Sequence, residues 1–105
     1  MNLKGSLALL ILNALAQKPN YGYEIAKHIK ETSAGVLDFQ EGTLYPTLHK
    51  LEKQGLIEGY TQVANGRRRR HYRLTEAGQH ALNTERQAWF QYARAVNTLL
   101  GENAS

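Results

Sequence analysis

The sequence predicts a mainly α fold of the α+β class: a winged helix-turn-helix domain with a two-stranded β-wing and a long C-terminal dimerisation helix. Two observations predict it. Apolar residues recur at helical spacing in three segments before residue 55. Asn65-Gly66, the strongest short-range hairpin signal, then lies between strand-like runs at residues 56–63 and 71–74.

The first two helices follow from the spacing of apolar residues. The first should run from about Gly5 to Gln17 and be buried on more than one side. Pro19-Asn20 then interrupts the chain. The second helix should cover Gly22 to Thr32, followed by a short extended piece at residues 36–39. The apolar positions that define these helices are Leu7, Leu10, Ile11, Ala14 and Leu15 in the first, and Ile25, Ala26 and Ile29 in the second.

The third helix is expected to end at Gln54, and its start depends on Pro46. Proline is tolerated in the first turn of a helix, where its missing N–H would have no partner anyway. The segment should open near Glu41-Gly42-Thr43, and Pro46 then places the helix start near residues 43–45. Gly55 is a natural C-terminal cap. The residues that should turn inward are Leu44, Leu48 and Leu51.

The final helix has clear start and stop signals. Thr75 is a good N-cap, and Glu76 suits the positive end of the helix dipole. The helix can then extend to Leu100, with Gly101 as its stop. We therefore divide the chain into a winged helix-turn-helix domain, residues 1–74, and a dimerisation helix with a short tail, residues 75–105.

A heptad-like apolar series runs along this final helix. A helix of about 25 residues has little left to pack against in a 105-residue monomer, so we expect it to pair with its copy in a homodimer. The alternative is that the helix folds back on its own domain. The predicted seam consists of Leu82, Trp89, Tyr92, Val96 and Leu99, with Glu85 as the polar exception.

The composition excludes several classes of function. There is no cysteine, so a disulfide framework and a thiolate metal site are excluded. The four histidines lack metal-ligand spacing, and no Gly-rich phosphate loop or nucleophile elbow occurs. We expect no enzymatic activity, no metal and no cofactor. The most apolar stretch, residues 7–15, is too short to span a membrane and lacks a following cleavage site, so we expect a cytoplasmic protein without a membrane partner.

The positive charge is concentrated in one third of the chain. Residues 41–74 hold seven basic and three acidic residues, which accounts for the whole net charge of +4. A localised basic region of this kind is typical of a nucleic-acid binder. The run from Arg67 to Arg70, on one arm of the hairpin, favours contact with a phosphate backbone. The alternative is a solvated charged loop.

In a winged helix-turn-helix domain the third helix enters the major groove and the wing touches the adjacent backbone. The outward face of this third helix carries hydroxyls and a proline ring, which suit base edges, and lysines, which suit phosphates. An ordinary amphipathic surface helix is the alternative. A C2 dimer would present two such helices to a palindromic operator in double-stranded DNA. The predicted DNA contacts are Thr43, Tyr45, Pro46 and His49 in the groove, Lys50, Lys53 and Tyr23 on phosphates, and Arg67, Arg68, Arg69 and Arg70 in the wing.

Four motifs resemble those of the PadR-like bacterial transcriptional regulators. They are Tyr-Gly-Tyr-Glu-Ile at 21–25, Glu-Gly-Thr-Leu-Tyr-Pro-Thr-Leu at 41–48, Leu-Glu-Lys-Gln-Gly-Leu-Ile at 51–57 and Tyr-Arg-Leu-Thr-Glu-Ala-Gly at 72–78. With their spacing they span about residues 3–100. The resemblance implies a winged-helix repressor that dimerises through its last helix. The single short C-terminal helix is similar to the small subgroup of the family, which includes multidrug-sensing members.

The same resemblance implies a ligand site. In such members a tryptophan at the position of Trp89 stacks on its symmetry mate in a central pore, which implies a small aromatic effector. Ala93 stands where an acidic residue would favour cationic drugs, so a cationic ligand is not implied. Filling of the core by Trp89 is the alternative. The candidate pocket residues are Leu9, Leu12, Asn13, Trp89, Ala93 and Val96.

These observations together predict a sequence-specific, homodimeric transcriptional repressor that a small aromatic ligand releases from DNA. Two alternatives remain open at this point. One is a protein that coats DNA without regard to sequence. The other is a ligand-sensing or partner-binding module with weak DNA affinity.

Overall fold

Four helices and a three-stranded antiparallel sheet make up residues 6–101, the part of the chain that the computed structural model describes. The order confirms the predicted mainly α winged helix-turn-helix fold with a long last helix. The expectations for Gly5 and for the tail beyond residue 101 lie outside the described residues. The elements are α1 (Leu7–Gln17), β1 (Asn20–Tyr21), α2 (Gly22–Thr32), α3 (Glu41–Lys53), β2 (Ile57–Ala64), β3 (Arg67–Leu74) and α4 (Glu76–Leu99).

The hydrophobic core is centred on α1. Leu7 and Ile11 are fully buried there, and α1 contacts the other three helices and β3. Burial of the leucines of α3 at i, i+4 and i+7 leaves the opposite face of that helix outward. The other members of the core are Leu12, Ala14, Leu15, Ile25, Ile29, Leu44, Leu48, Leu51, Ile57, Tyr72 and Leu82.

The hairpin turn is the one that the sequence predicts. Asn65 and Gly66 both have positive φ, 54° and 75°, as a two-residue type I′ turn requires. The strands are longer than expected, since β3 begins at Arg67 and the whole arginine run lies inside it. β2 and β3 pair from Ile57↔Leu74 to Ala64↔Arg67.

A third strand joins the two-stranded wing, which β2 and β3 form as predicted. The sequence suggests only a break at Pro19-Asn20, but Asn20–Tyr21 forms β1 and pairs antiparallel with β3. The sheet order is therefore β1-β3-β2. A strand of two residues is too short to show the alternating pattern by which strands are predicted. By contrast, residues 36–39, expected to be a short extended piece, form no strand in the structure.

The helix α3 begins earlier than Pro46 suggests. Amides of residues 43 and 44 donate to the Gln40 carbonyl, at 3.0 and 2.9 Å, so the first turn starts at Glu41 and Pro46 lies inside the helix. Pro46 removes one helical hydrogen bond, to the carbonyl of Gly42. Gly42 is exposed, so water can satisfy that carbonyl instead.

The end of α3 confirms the prediction for Gly55. Gly55 has φ 76° and its amide donates to the Glu52 carbonyl at 3.0 Å, while the Leu56 amide donates to the Leu51 carbonyl at 3.0 Å. These two bonds form a Schellman cap. The cap turns the chain directly into β2, so the hairpin begins immediately after the helix.

The last helix, α4, begins at the predicted N-cap. The hydroxyl of Thr75 accepts from the Gly78 amide at 3.0 Å and donates to the Gly55 carbonyl at 2.6 Å. Of the 24 residues in α4, only Gly78 and Leu82 are buried, so most of its length lies outside the core. None of the helices among residues 6–101 combines the length and apolarity that a membrane crossing needs.

Candidate nucleic-acid interface

The outward face of α3 carries most of the predicted groove and phosphate residues. Because its three leucines are buried, the side chains on the other side reach solvent. Thr43 is half-buried at the start of this face, and the exposed members are Pro46, His49, Lys50 and Lys53. The lysines occupy the last turn, where cations are also favoured by the helix dipole.

Tyr45 differs from its neighbours because it packs against α2. A Cβ atom at Gly22 would lie 2.9 Å from both Cε1 and the hydroxyl oxygen of Tyr45. The ring therefore rests on the first residue of α2 and is 36% exposed. The absence of a side chain at Gly22 permits this contact, and the exposed part of Tyr45 is what remains available to DNA.

The two tyrosines around the start of α2 differ in exposure. Tyr23 is 60% exposed, whereas Tyr21 is half-buried. The Tyr21 hydroxyl donates to a Glu24 carboxylate oxygen at 3.3 Å. Tyr23 is thus the member of the pair whose hydroxyl can reach a phosphate near the helix N-terminus.

The four wing arginines have different surroundings. Arg67 and Arg68 are exposed, and within residues 6–101 their side chains make no hydrogen bond, ion pair or ring contact. The Arg69 guanidinium carbon lies 4.5 Å from the centroid of the Tyr21 ring. Arg70 forms an ion pair with Glu52 of α3, with nitrogen and oxygen 2.6 Å apart. Because side chains alternate between the two faces of a strand, the sequence could have assigned the four arginines to two faces. No sequence signal identified Glu52 as the partner of Arg70 or Tyr21 as the partner of Arg69.

An aromatic row crosses the outer face of the sheet. The His71 ring centroid lies 5.2 Å from that of Tyr21 and 5.7 Å from that of Tyr60. Arg73 covers the other end, 4.3 Å from the Tyr60 centroid. This row ties β1 to both arms of the wing, since each of the three strands contributes one ring.

A cleft of about 370 Å³ lies between α1 and α4. It brings together three of the predicted pocket residues, Leu9, Asn13 and Trp89. Leu12 is only 2% exposed and packs in the core instead, because the helix turns it away from the cleft. Ala93 and Val96 are not part of the lining. Sequence reasoning missed Ser6, Leu10, Leu37, Arg86 and Phe90, which complete the lining with Leu82.

The predicted seam of α4 is available to a partner only in part. Leu82 is 3% exposed and packs in the core of its own chain, which leaves it little surface for the predicted contact with a second chain. Trp89 and Val96 are half-buried, and Tyr92 and Leu99 are 50% and 86% exposed. Leu82 packs inward because the first turns of α4 cross α1, and the apolar series becomes free only beyond that crossing.

The winged helix-turn-helix fold, the two lysines in the last turn of α3 and the arginines of β3 define the class of protein: a DNA-binding, winged-helix transcriptional regulator. Residues 11–84 match the transcriptional regulator PadR-like family. The chain therefore belongs to the PadR-like family, which confirms the resemblance of the four motifs.

Individual relatives agree over nearly the whole chain. The chain is 38% identical over 93 residues to the transcriptional regulator Rv3488 of Mycobacterium tuberculosis, covering 89% of this chain and 84% of that protein. The structure of a transcriptional regulator from Clostridium thermocellum matches with a TM-score of 0.84 at 30% identity, over 91% of this chain and 94% of that one. A PadR family transcription regulator from Clostridium difficile R20291 matches with a TM-score of 0.80 at 35% identity, over 91% of this chain and 99% of that one.

Proposed function

We propose that the protein is a homodimeric transcriptional repressor that binds a palindromic operator. The observation that carries this proposal is the pair of exposed arginines, Arg67 and Arg68, which lack partners in the described residues and follow the outward face of α3 in the chain. Unpaired guanidinium groups are suited to phosphate oxygens. The proposed contacts of α3 are Thr43, Tyr45, Pro46 and His49 with base edges, and Lys50 and Lys53, together with Tyr23 of α2, with phosphates.

The exposed part of α4 supports the homodimer. Beyond Leu82 the helix carries apolar side chains that its own chain leaves exposed, among them Phe90, Tyr92 and Leu99. An unpaired helix of this length and apolarity is stabilised by packing against a second copy. Two copies related by a two-fold axis would direct two α3 helices at two half-sites of one operator.

Removal of Arg67 and Arg68 is the direct test of the wing. The double variant Arg67→Gln/Arg68→Gln should bind operator more weakly, and the slope of log affinity against log salt should fall by about 3 to 4 per dimer, since four phosphate contacts are lost. Fluorescence anisotropy across a salt series measures both. Lys18→Gln/Arg94→Gln removes the same charge elsewhere on the surface and should retain most of the affinity and slope. An unchanged slope in the wing variant would contradict the assignment.

Competition between DNA sequences separates this proposal from the first alternative. A specific regulator should bind its operator at least about a thousandfold more tightly than random DNA at physiological salt. A ratio near one would instead favour a protein that coats DNA. Recovery of bound fragments across the genome, beginning upstream of the protein's own gene, supplies the operator for this measurement.

The cleft between α1 and α4 supports a second element of the proposal, release by a small aromatic effector. Its lining is mainly apolar and contains Trp89, the single tryptophan of the chain. A planar aromatic compound that enters at micromolar concentration should therefore quench Trp89 fluorescence and weaken operator binding. Leu9→Phe, which fills the cleft, should abolish the quenching. Quenching without DNA affinity would favour a sensing module, and absence of quenching would remove the effector from the proposal.

A further inference from the structure

The arginine run of β3 is divided by strand alternation into two faces. Arg68 and Arg70 share the inner face with Tyr72, which is buried in the core, whereas Arg69 shares the outer face with His71. The two arginines on the inner face differ in one respect. Arg70 lies closer to the core and meets α3, while Arg68, opposite Val63 near the turn, has no partner in the described chain.

The Arg70 side chain is 52% exposed and is held on two sides. Its guanidinium pairs with Glu52 at 2.6 Å, and the Glu52 side chain is 30% exposed. The guanidinium also lies flat against β2, since a Cβ at Gly59 would be 2.7 Å from its Cζ and Nε atoms. Gly59 is thus the position that lets Arg70 fold back over the sheet. A guanidinium in this arrangement is directed toward α3 and away from the wing tip.

Arg70 and Glu52 also act on the buried phenol of Tyr72. Burial raises the pKa of Tyr72 above its ordinary value of 10.0, and Glu52 raises it further, whereas the hydrogen bond and charge of Arg70 lower it. The ion pair is therefore connected to a side chain of the hydrophobic core. A link that joins α3, β2, β3 and the core is expected to fix the direction in which the hairpin leaves the domain.

The opposite face of the sheet carries a second attachment at the same level. Arg69 covers the Tyr21 ring at 4.5 Å, and the Tyr21 hydroxyl donates to Glu24 in the first turn of α2. A cation over the face of an aromatic ring at this distance is attracted to it, even at a partly exposed site. The base of the wing is thus attached on its inner face to α3 and on its outer face to α2.

We propose that Arg70, through Glu52, is a positioning residue that sets the angle between the wing and α3, while Arg67 and Arg68 alone bring the wing's charge to the DNA. This inference rests on the proposed DNA-binding function and refines its wing. Arg69 and Arg70 then fix the base of the wing to the domain, whereas Arg67 and Arg68 contact phosphates. The wing and α3 reach DNA as one unit because the ion pair joins them.

Salt dependence distinguishes the two roles. Arg68→Gln, the matched control on the same face, should lower the salt slope by about two per dimer. Arg70→Gln should weaken operator binding by about fivefold, the upper range for a partly exposed ion pair, and leave the slope unchanged. An Arg70→Gln slope loss equal to that of Arg68→Gln would overturn the proposal.

The direction in which Glu52→Gln changes operator affinity is a second test of the positioning role. If Glu52 only repelled DNA, Glu52→Gln would raise operator affinity. A positioning pair predicts the reverse, a loss of about fivefold without a change of slope. The exchanged pair Glu52→Arg/Arg70→Glu should recover affinity relative to either single exchange, because it restores the ion pair. A rise in affinity for Glu52→Gln, or no recovery by the exchanged pair, would overturn the proposal.

The geometry can also be measured without DNA. The chain contains no cysteine, so spin labels can be attached at Val63→Cys near the wing tip and His28→Cys on α2. Both side chains are exposed. Dilution with unlabelled chains leaves one labelled protomer per dimer, so that double electron–electron resonance measures the distance between the two labels of one chain. The distribution of this distance should be broader in Arg70→Gln and Glu52→Gln than in the wild type, and unchanged in Arg68→Gln. Distance distributions of equal width in all variants would overturn the positioning role, even if the wild type binds operator. Failure of the wild type to bind operator would instead contradict the proposed function, and not the attachment of the wing to α3.

Discussion

Replacement of Gly78 by alanine is expected to lower the free energy of unfolding by about 3 kcal/mol. Gly78 lies in the first turn of α4, where the helix crosses the connection between α3 and β2. A Cβ atom there would overlap the carbonyl oxygen of Leu56 and lie 2.7 Å from Cδ1 of Leu74. The Leu56 carbonyl cannot swing away freely, because it accepts the Thr75 amide at 3.1 Å. The clash therefore has to be relieved by movement of α4 or of the wing base.

Gly42→Ala is the matched control for this prediction. Gly42 is also a helical glycine, but nothing lies within 4 Å of a Cβ built on it. Alanine should therefore stabilise α3 there by up to about 1 kcal/mol through its higher helix propensity. Urea unfolding at one fixed protomer concentration compares the two variants, since dimerisation makes stability concentration-dependent. Equal midpoints for Gly78→Ala and the wild type would show that α4 does not cross the chain as closely as the structure indicates.

The features that the sequence predicted correctly are those that local chemistry decides. Asn65-Gly66 determines its turn because both residues tolerate positive φ. Gly55 and Thr75 mark helix ends through hydrogen bonds to backbone groups close in sequence. The leucines of α3 likewise follow from spacing within one helix. For these elements a window of a few residues contains nearly all of the deciding interactions.

The features that the sequence missed depend on contacts between distant residues. Arg70 and Glu52 are 18 positions apart and meet only because α3 and β3 pack at the wing base. The strand β1 exists because β3 offers it a free edge. Leu82 fits a heptad series as well as its successors do, and only the crossing with α1 removes it from the seam. Tertiary packing decides each of these cases, so no local pattern could have distinguished the alternatives.

Substitution of two apolar residues on the exposed part of α4 by glutamate is expected to have the largest effect on operator binding. In Tyr92→Glu/Leu99→Glu the charges replace side chains that are 50% and 86% exposed in the single chain. They should therefore leave the fold of the protomer intact, because neither side chain belongs to its core. In the proposed dimer the same charges would be buried opposite their own copies, where desolvation and like-charge repulsion oppose association.

Sedimentation of Tyr92→Glu/Leu99→Glu should accordingly give a monomer. Its operator affinity should fall by about a hundredfold or more, because a protomer bound to one half-site no longer holds a second protomer near the other half-site. Gln87→Glu/Gln91→Glu adds the same charge to the exposed side of the same helix, away from the seam, and should remain dimeric. The salt slope provides the mechanistic criterion: a monomer on one half-site makes half the phosphate contacts, so its slope should be about half that of the dimer. A monomer that keeps both affinity and slope would mean that α4 does not couple the two half-sites. A dimer that persists in the variant would mean that the copies pair through another surface.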